Sequence, residues 1–233
     1  MGVVDYPPYF MRDPSGSGWT GAMIDMGNDI AKVLDVKLEI VEVGTWSESI
    51  LAVQSGKTDM QIGVQASPER AKAVDFAGPI YWVEWVAVNS PKFQGKVWQD
   101  YNKPDVKVAI QIASADDWIL TRMAPKATKV ELKDVTQAAL SVSSGRADAF
   151  TTSVLSSMVM KQRNPGLGEF VKPTPRIAMP GYIATRLESD QRFLKFLNRW
   201  GEYNVVMGFN EKRMRDAAAK IGLEIPESVS FGP

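Results

Sequence analysis

The chain contains no cysteine and no histidine. Their absence removes Cys nucleophiles, thiolate and imidazole metal ligands, and imidazole acid–base chemistry together. It counts against most hydrolase mechanisms, and neither a metal site, a cofactor nor a catalytic residue is expected. A chain without cysteine also has nothing to mispair in an oxidising compartment. Net charge is lacking too, since 27 Lys and Arg balance 27 Asp and Glu without long runs of either. A nucleic-acid or anionic-membrane surface shows as basic excess, so neither partner is expected. No run of about 18 apolar residues occurs, which argues against a transmembrane helix. No cleavable signal peptide is visible, because the chain opens almost directly on the strand-like pair Val3-Val4. Met1 reads either as the start of a shortened chain or as the natural start of a cytoplasmic protein.

What is present is ordinary in bulk: 233 residues, 45% apolar and 23% charged, enough for one large or two small domains. One phrase occurs twice. Leu51-Ala-Val53-Gln-Ser55-Gly56-Lys57-Thr-Asp59 returns as Leu140-Ser-Val142-Ser-Ser144-Gly145-Arg146-Ala-Asp148. Each copy reads as the end of an amphipathic helix, with Gly in the left-handed C′ position and a cation near the helix C-terminus. An Asp then opens a short apolar strand. Two copies predict two similar α/β lobes, and two lobes imply a cleft between them.

Strand and helix cues alternate along both halves, which argues for parallel sheets. Strands are predicted at Gly2–Asp5, Lys37–Val43, Met60–Val64, Tyr81–Asn89, Val106–Ile112, Val130–Leu132, Ala149–Thr152 and Tyr182–Thr185. A Pro/Gly/Ser-rich loop runs from Asp13 to Gly18, and Met23, Ile24, Met26, Ile30, Val33 and Leu34 mark a helix. Thr45-Trp46-Ser47-Glu48 has capping-box spacing. Ser67-Pro68-Glu69-Arg70 opens a helix with Pro in its first position. A helix is predicted from Ser153 to about Arg163, and two more near 190–206 and 210–221. No low-complexity linker separates the halves, so strands would join any two lobes, which suits a hinge.

Several motifs sit where chemistry is possible. Asp5-Tyr6-Pro7-Pro8-Tyr9 follows the first strand, so Tyr6 and Tyr9 either wall a pocket or pack a stiff loop. Trp46 at a helix start has the same two readings. Arg70 stands just inside a helix N-terminus, where the macrodipole disfavours a cation. It is placed either for a bound anion, which its planar fork can hold bidentately, or for a surface pair with Glu69 or Asp75. Ala113-Ser114-Ala115-Asp116 puts small residues at a helix start, an anion site or a simple N-cap. Tyr81, Trp82, Glu84 and Trp85 alternate along a strand, so some of them must be core.

Taken in order, Tyr6-Pro7-Pro8-Tyr9, Gly21 with Ile24-Asp25-Met26, Trp46, Ser55–Asp59, Ser67–Ala71, Asp75–Tyr81 and Ser144–Ala149 form a pattern. Over about residues 2–205 this pattern resembles the extracellular solute-binding proteins of family 3. These are the polar amino-acid-binding receptors of bacterial ABC importers, which share their fold with ionotropic glutamate receptor ligand domains. The resemblance implies an α/β fold of the type II periplasmic binding protein kind, two lobes with mixed sheets joined by a two-strand hinge. Lobe 1 would comprise residues 1–86 and 184–233 and lobe 2 residues 87–183, with the ligand cleft between them. The crossovers would lie near Glu84–Asn89 and Gly181–Thr185. The implied protein is a monomer in the periplasm, its leader removed, that closes on a small ligand and presents it to an ABC permease.

Carried over by position, Arg70 matches the Arg that clamps a ligand α-carboxylate. Gly63 and Gln65 match pocket positions, and Tyr6 and Trp46 match aromatic walls. Ser114 and Ala115 fall in a turn that is Gly-Thr-Thr or Gly-Ser-Thr in the family, so one hydroxyl is missing. Ser153 stands where the family places an Asp that holds the ligand ammonium. Asp116 or Glu84 could replace that Asp. Otherwise the ligand lacks a primary α-ammonium, as an N-substituted amino acid, a betaine-like zwitterion or a simple organic acid does. Trp and Tyr walls would suit a methylated cation or an aromatic ring. Two other functions remain open: an enzyme resembling cyclohexadienyl or arogenate dehydratases on the same scaffold, with a carboxyl as general acid, and the sensor domain of a membrane receptor.

Overall fold

A computed structural model describes residues 1–13, 15–16 and 18–232. Pro14 and Ser17, within the loop expected at 13–18, lie outside the described residues. The chain divides into two compact units, one holding Met1–Val83 and the chain from Pro180 onward, the other Glu84–Met179.

The first unit begins with β1 (Gly2–Val3), β2 (Met11–Arg12), β3 (Trp19–Thr20), α1 (Ala22–Val33) and β4 (Val41–Glu42). It continues with α2 (Trp46–Gln54), β5 (Met60–Val64), α3 (Pro68–Ala71) and the start of β6 (Val74–Asn89). β1 pairs with β4 in parallel, and β2 with β3 antiparallel. The strand expected over Lys37–Val43 is confined to Val41–Glu42, because β1 offers only two residues to pair with. α1 buries Met23, Met26 and Ile30 along one face, and Ile62 and Ile80 are buried in the same unit. Thr45 caps α2 by accepting from the Glu48 amide at 3.2 Å, and its hydroxyl donates to the Glu48 carboxylate at 3.1 Å.

β6 carries the chain into the second unit. There follow α4 (Trp98–Tyr101), β7 (Lys107–Gln111), α5 (Ala115–Met123), β8 (Thr128–Leu132), α6 (Val135–Ser143), β9 (Ala149–Ser153), α7 (Val154–Arg163) and β10 (Phe170–Val171). β7 runs parallel to both β8 and β9, whereas the Trp85–Asn89 stretch of β6 runs antiparallel to β9, with Trp85 opposite Ser153. Ile110, Leu120, Phe150, Leu155 and Met160 fill this core.

β11 (Ile177–Arg186) returns the chain to the first unit, where it pairs antiparallel with β5. α8 (Arg192–Val206) and α9 (Phe209–Ala219) complete that unit. Their Asn side chains serve β6: the Gly78 amide donates to Asn198 Oδ1, and Asn210 Nδ2 donates to the Ile80 carbonyl. Both copies of the repeated phrase end as their sequence requires. Gly56 and Gly145 have φ of 75° and 73°, where a Cβ is disfavoured, and each helix closes onto the strand that follows.

Candidate functional site

In the first unit, five of the residues singled out from sequence belong to one connected group. β5 ends at Val64, and the chain turns through Gln65 into the short helix α3. Ser67 caps that helix by accepting from the Arg70 amide at 3.2 Å. The Arg70 guanidinium then folds back and donates from Nη1 to the Gln65 carbonyl at 2.9 Å. Arg70 is only 8% exposed. Burial lowers its pKa to about 10, so it remains a cation at neutral pH while giving up hydration. Arg70 is therefore a buried cation, held at its own strand end.

A series of aromatic residues reaches the same strand end. Tyr6 meets Trp46 edge-on at 5.6 Å between ring centroids and stacks on Tyr9 at 5.5 Å, and Tyr9 meets Tyr81 at 6.0 Å. The Tyr81 hydroxyl donates to the Gly63 carbonyl at 3.2 Å, two residues before Gln65. Tyr6, Trp46, Gly63, Gln65 and Arg70 are thus linked, with Tyr9 and Tyr81 as the connecting members. Tyr81 was legible in sequence only as part of an aromatic strand.

The second unit brings together Ser114, Ala115, Asp116 and Ser153. Ala113 takes a left-handed φ of 55°, and Ser114 caps α5 by accepting from the Asp116 amide at 3.1 Å. The Ser114 hydroxyl donates to the Gln111 carbonyl at 2.6 Å. Asp116, at 2% exposure, accepts a hydrogen bond from the Trp85 indole N–H. Burial raises its pKa to about 7, against the opposing bonds from Trp85, Ser114 and Gln111, while Asp117 pushes the same way as burial. Trp85 faces Ser153 across the β6–β9 pair, and Ser153 caps α7 through the Ser156 amide at 3.3 Å. Asp116 and Ser153 therefore share one neighbour, at the carboxyl ends of the adjacent parallel strands β7 and β9.

Glu84 is not part of this group. It precedes Trp85 on the strand and so points to the opposite face, where Lys172 and Arg176 pair with it. Among the described residues no cluster of three or more His, Cys, Asp or Glu side chains is placed to hold a metal ion. Among the same residues no helix is long and apolar enough to cross a membrane.

The sequence profile of the bacterial extracellular solute-binding proteins, family 3, matches residues 1–201. Among solved structures the chain is similar to an ancestral amino acid-binding protein described as a precursor of cyclohexadienyl dehydratase. That pair shares 30% identity and a TM-score of 0.79, with 94% of each chain covered. It is also similar to a variant of ArgBP from T. maritima, at 25% identity and a TM-score of 0.80, over 94% of this chain and 95% of that one. An ancestral arginine-binding protein bound to arginine gives 26% identity and 0.79, with 94% of this chain and 95% of that one covered. No curated protein matches the chain. The fold is that of type II periplasmic binding proteins, with α/β units and mixed sheets.

Proposed function

Because the chain belongs to the bacterial extracellular solute-binding proteins of family 3, we propose that it captures a small amino-acid-like or carboxylate ligand outside the cytoplasm and hands it to an ABC permease. The observation that carries this reading is Arg70. A guanidinium that is buried and fixed by its own strand end has already met part of the desolvation cost of gripping a carboxylate, and its planar fork suits one. Trp46 and Tyr6, stacked onward onto Tyr9, supply a stiff aromatic wall for the ligand side chain. In the second unit Asp116 is the better-supported acceptor for a ligand ammonium or other cation. It adjoins Ser153 through Trp85, whereas Glu84 is already neutralised by Lys172. L-Arginine is the first ligand to try, since one similar structure is an arginine-binding protein bound to arginine.

The test is a thermal-shift panel of amino acids, N-methylated derivatives, amines and organic acids. A ligand that binds only the folded state stabilises by RT ln(1+[L]/Kd), about 2.7 kcal/mol at about 100 times Kd. For a chain of this size that corresponds to a rise in Tm of about 5–10 °C. Shifts by carboxylates and not by the matching amines support the Arg70 role, and shifts by amines alone contradict it.

A dehydratase-like activity is the second reading, and Asp116 is the observation that favours it. A buried carboxyl with a pKa of about 7 is suited to act as a general acid at neutral pH. Turnover of prephenate or arogenate that is lost in Asp116→Asn would support that reading, and unchanged substrate would remove it.

A further inference from the structure

Tyr81 stands at a junction that the ligand-binding reading does not use. Its ring is buried and sits between Tyr9 and the bare α-carbon of Gly181 on β11. A Cβ on Gly181 would fall 2.2 Å from the ring, so this close seat exists only because that position is glycine. The next residue, Tyr182, pairs with Val64, the last residue of β5. The hydroxyl of Tyr81 reaches the same strand end from the side. It donates to the Gly63 carbonyl at 3.2 Å and is also hydrogen-bonded to the Gln65 side chain. Gly63 has a φ of 88°, so its carbonyl departs from ordinary strand geometry at the point where the hydroxyl meets it. The carbonyl of Gln65 in turn accepts from Arg70.

We infer that Tyr81 is a positioning residue for the Arg70 site. The ring, seated on Gly181, fixes the hydroxyl; the hydroxyl fixes the Gly63–Gln65 turn; the turn fixes the guanidinium. Tyr81 and Gly181 lie within a few residues of the two points where the chain leaves and re-enters this unit, Val83 and Pro180. The same contact therefore ties both crossing strands to the ligand-binding turn. The inference rests on the reading of Arg70 as a carboxylate clamp for its effect on affinity, though not for its effect on the turn itself.

Tyr81→Phe keeps the ring and deletes the hydroxyl. Amide hydrogen exchange of the ligand-free protein reads the turn without any ligand. The expected result is exchange faster by about tenfold or more, confined to the segment around residues 63–71, with Tm lower by only a few degrees. Parent-like exchange in that segment, or acceleration spread across the unit, overturns the inference. Binding is read with L-arginine and with agmatine, which lacks the carboxylate. Tyr81→Phe is expected to weaken L-arginine by about tenfold, to leave agmatine unchanged, and to have no further effect in an Arg70→Met background. Equal loss for both probes, or undiminished loss in that background, overturns it. If neither probe binds the parent, exchange alone decides. If Arg70→Met binds L-arginine as the parent does, the carboxylate-clamp reading fails, and the exchange result still decides the position of the turn.

Discussion

Replacing Arg70 with methionine is expected to weaken binding of an α-amino acid by at least about a hundredfold, without lowering the stability of the ligand-free protein. The two halves of that expectation have one cause. Hydrogen bonds from an ionised donor to a carboxylate are worth about 1.5–3 kcal/mol each, and a bidentate fork makes two. Removing the cation from a buried site also leaves the ligand carboxylate desolvated and unanswered, which raises the loss further. In the ligand-free protein the balance is reversed. Burial depresses the Arg70 pKa from the ordinary guanidinium value to about 10, which marks a charged state disfavoured on the order of 3 kcal/mol relative to water. Methionine keeps an aliphatic stem of similar length and removes that cost, at the expense of the bond to the Gln65 carbonyl. Tm of the ligand-free variant should therefore equal or exceed that of the parent, the usual sign of a residue kept for function. Arg70→Lys keeps the charge and loses the planar fork, so its affinity should fall between the two. Calorimetric titration and unfolding curves on the three proteins check this. A methionine variant that binds like the parent removes Arg70 from the site.

The second large effect concerns pH. The Asp116 pKa is raised from 3.8 to about 7, chiefly by burial. The folded protein therefore holds a proton on this group between about pH 4 and about pH 7 that the unfolded chain has released. Stability from this group is fully present below the unfolded pKa and is lost as pH rises through that window, by on the order of 4 kcal/mol in all. Asp116→Asn keeps an acceptor for the Trp85 indole and has no charge to bury. The variant should match the parent near pH 4 and become the more stable of the two by several degrees near pH 8. Unfolding curves across that range read the difference directly. If the two proteins lose stability in parallel, Asp116 is not the group that titrates. A cationic ligand adds an opposite dependence, since only the ionised carboxylate attracts it. Its affinity for the parent should rise through about pH 7 and its affinity for the variant should not.

The local features of this chain were legible because their causes are local. Gly56 and Gly145 end their helices in the left-handed region, and Thr45 and Glu48 form their cap, since each depends on residues within one turn. Arg70 was conspicuous because a cation is out of place at a helix start, and the structure supplies the partner, Gln65, five residues away. What sequence hid is non-local. β6 begins at Val74, not Tyr81, and its early stretch is held by Asn198 and Asn210, which bond Gly78 and Ile80 from more than a hundred residues onward. The Tyr81–Gly181 seat and the Trp85–Asp116 bond join segments that no periodicity connects. Asp116 and Glu84 looked equivalent as candidate anions. Packing separates them, since one is buried beside Trp85 and the other lies on the opposite face against Lys172.

The central claim is that this chain binds an amino-acid-like solute and releases it unchanged. Proton NMR of L-arginine, and of the strongest panel ligand, recorded with the protein from mixing through overnight incubation, tests it most directly. The expected result is broadening of the ligand resonances that Arg70→Met abolishes, with every resonance keeping its position and total intensity. Resonances of a new product growing with time would contradict the claim, as would the absence of broadening for every amino acid and carboxylate tried.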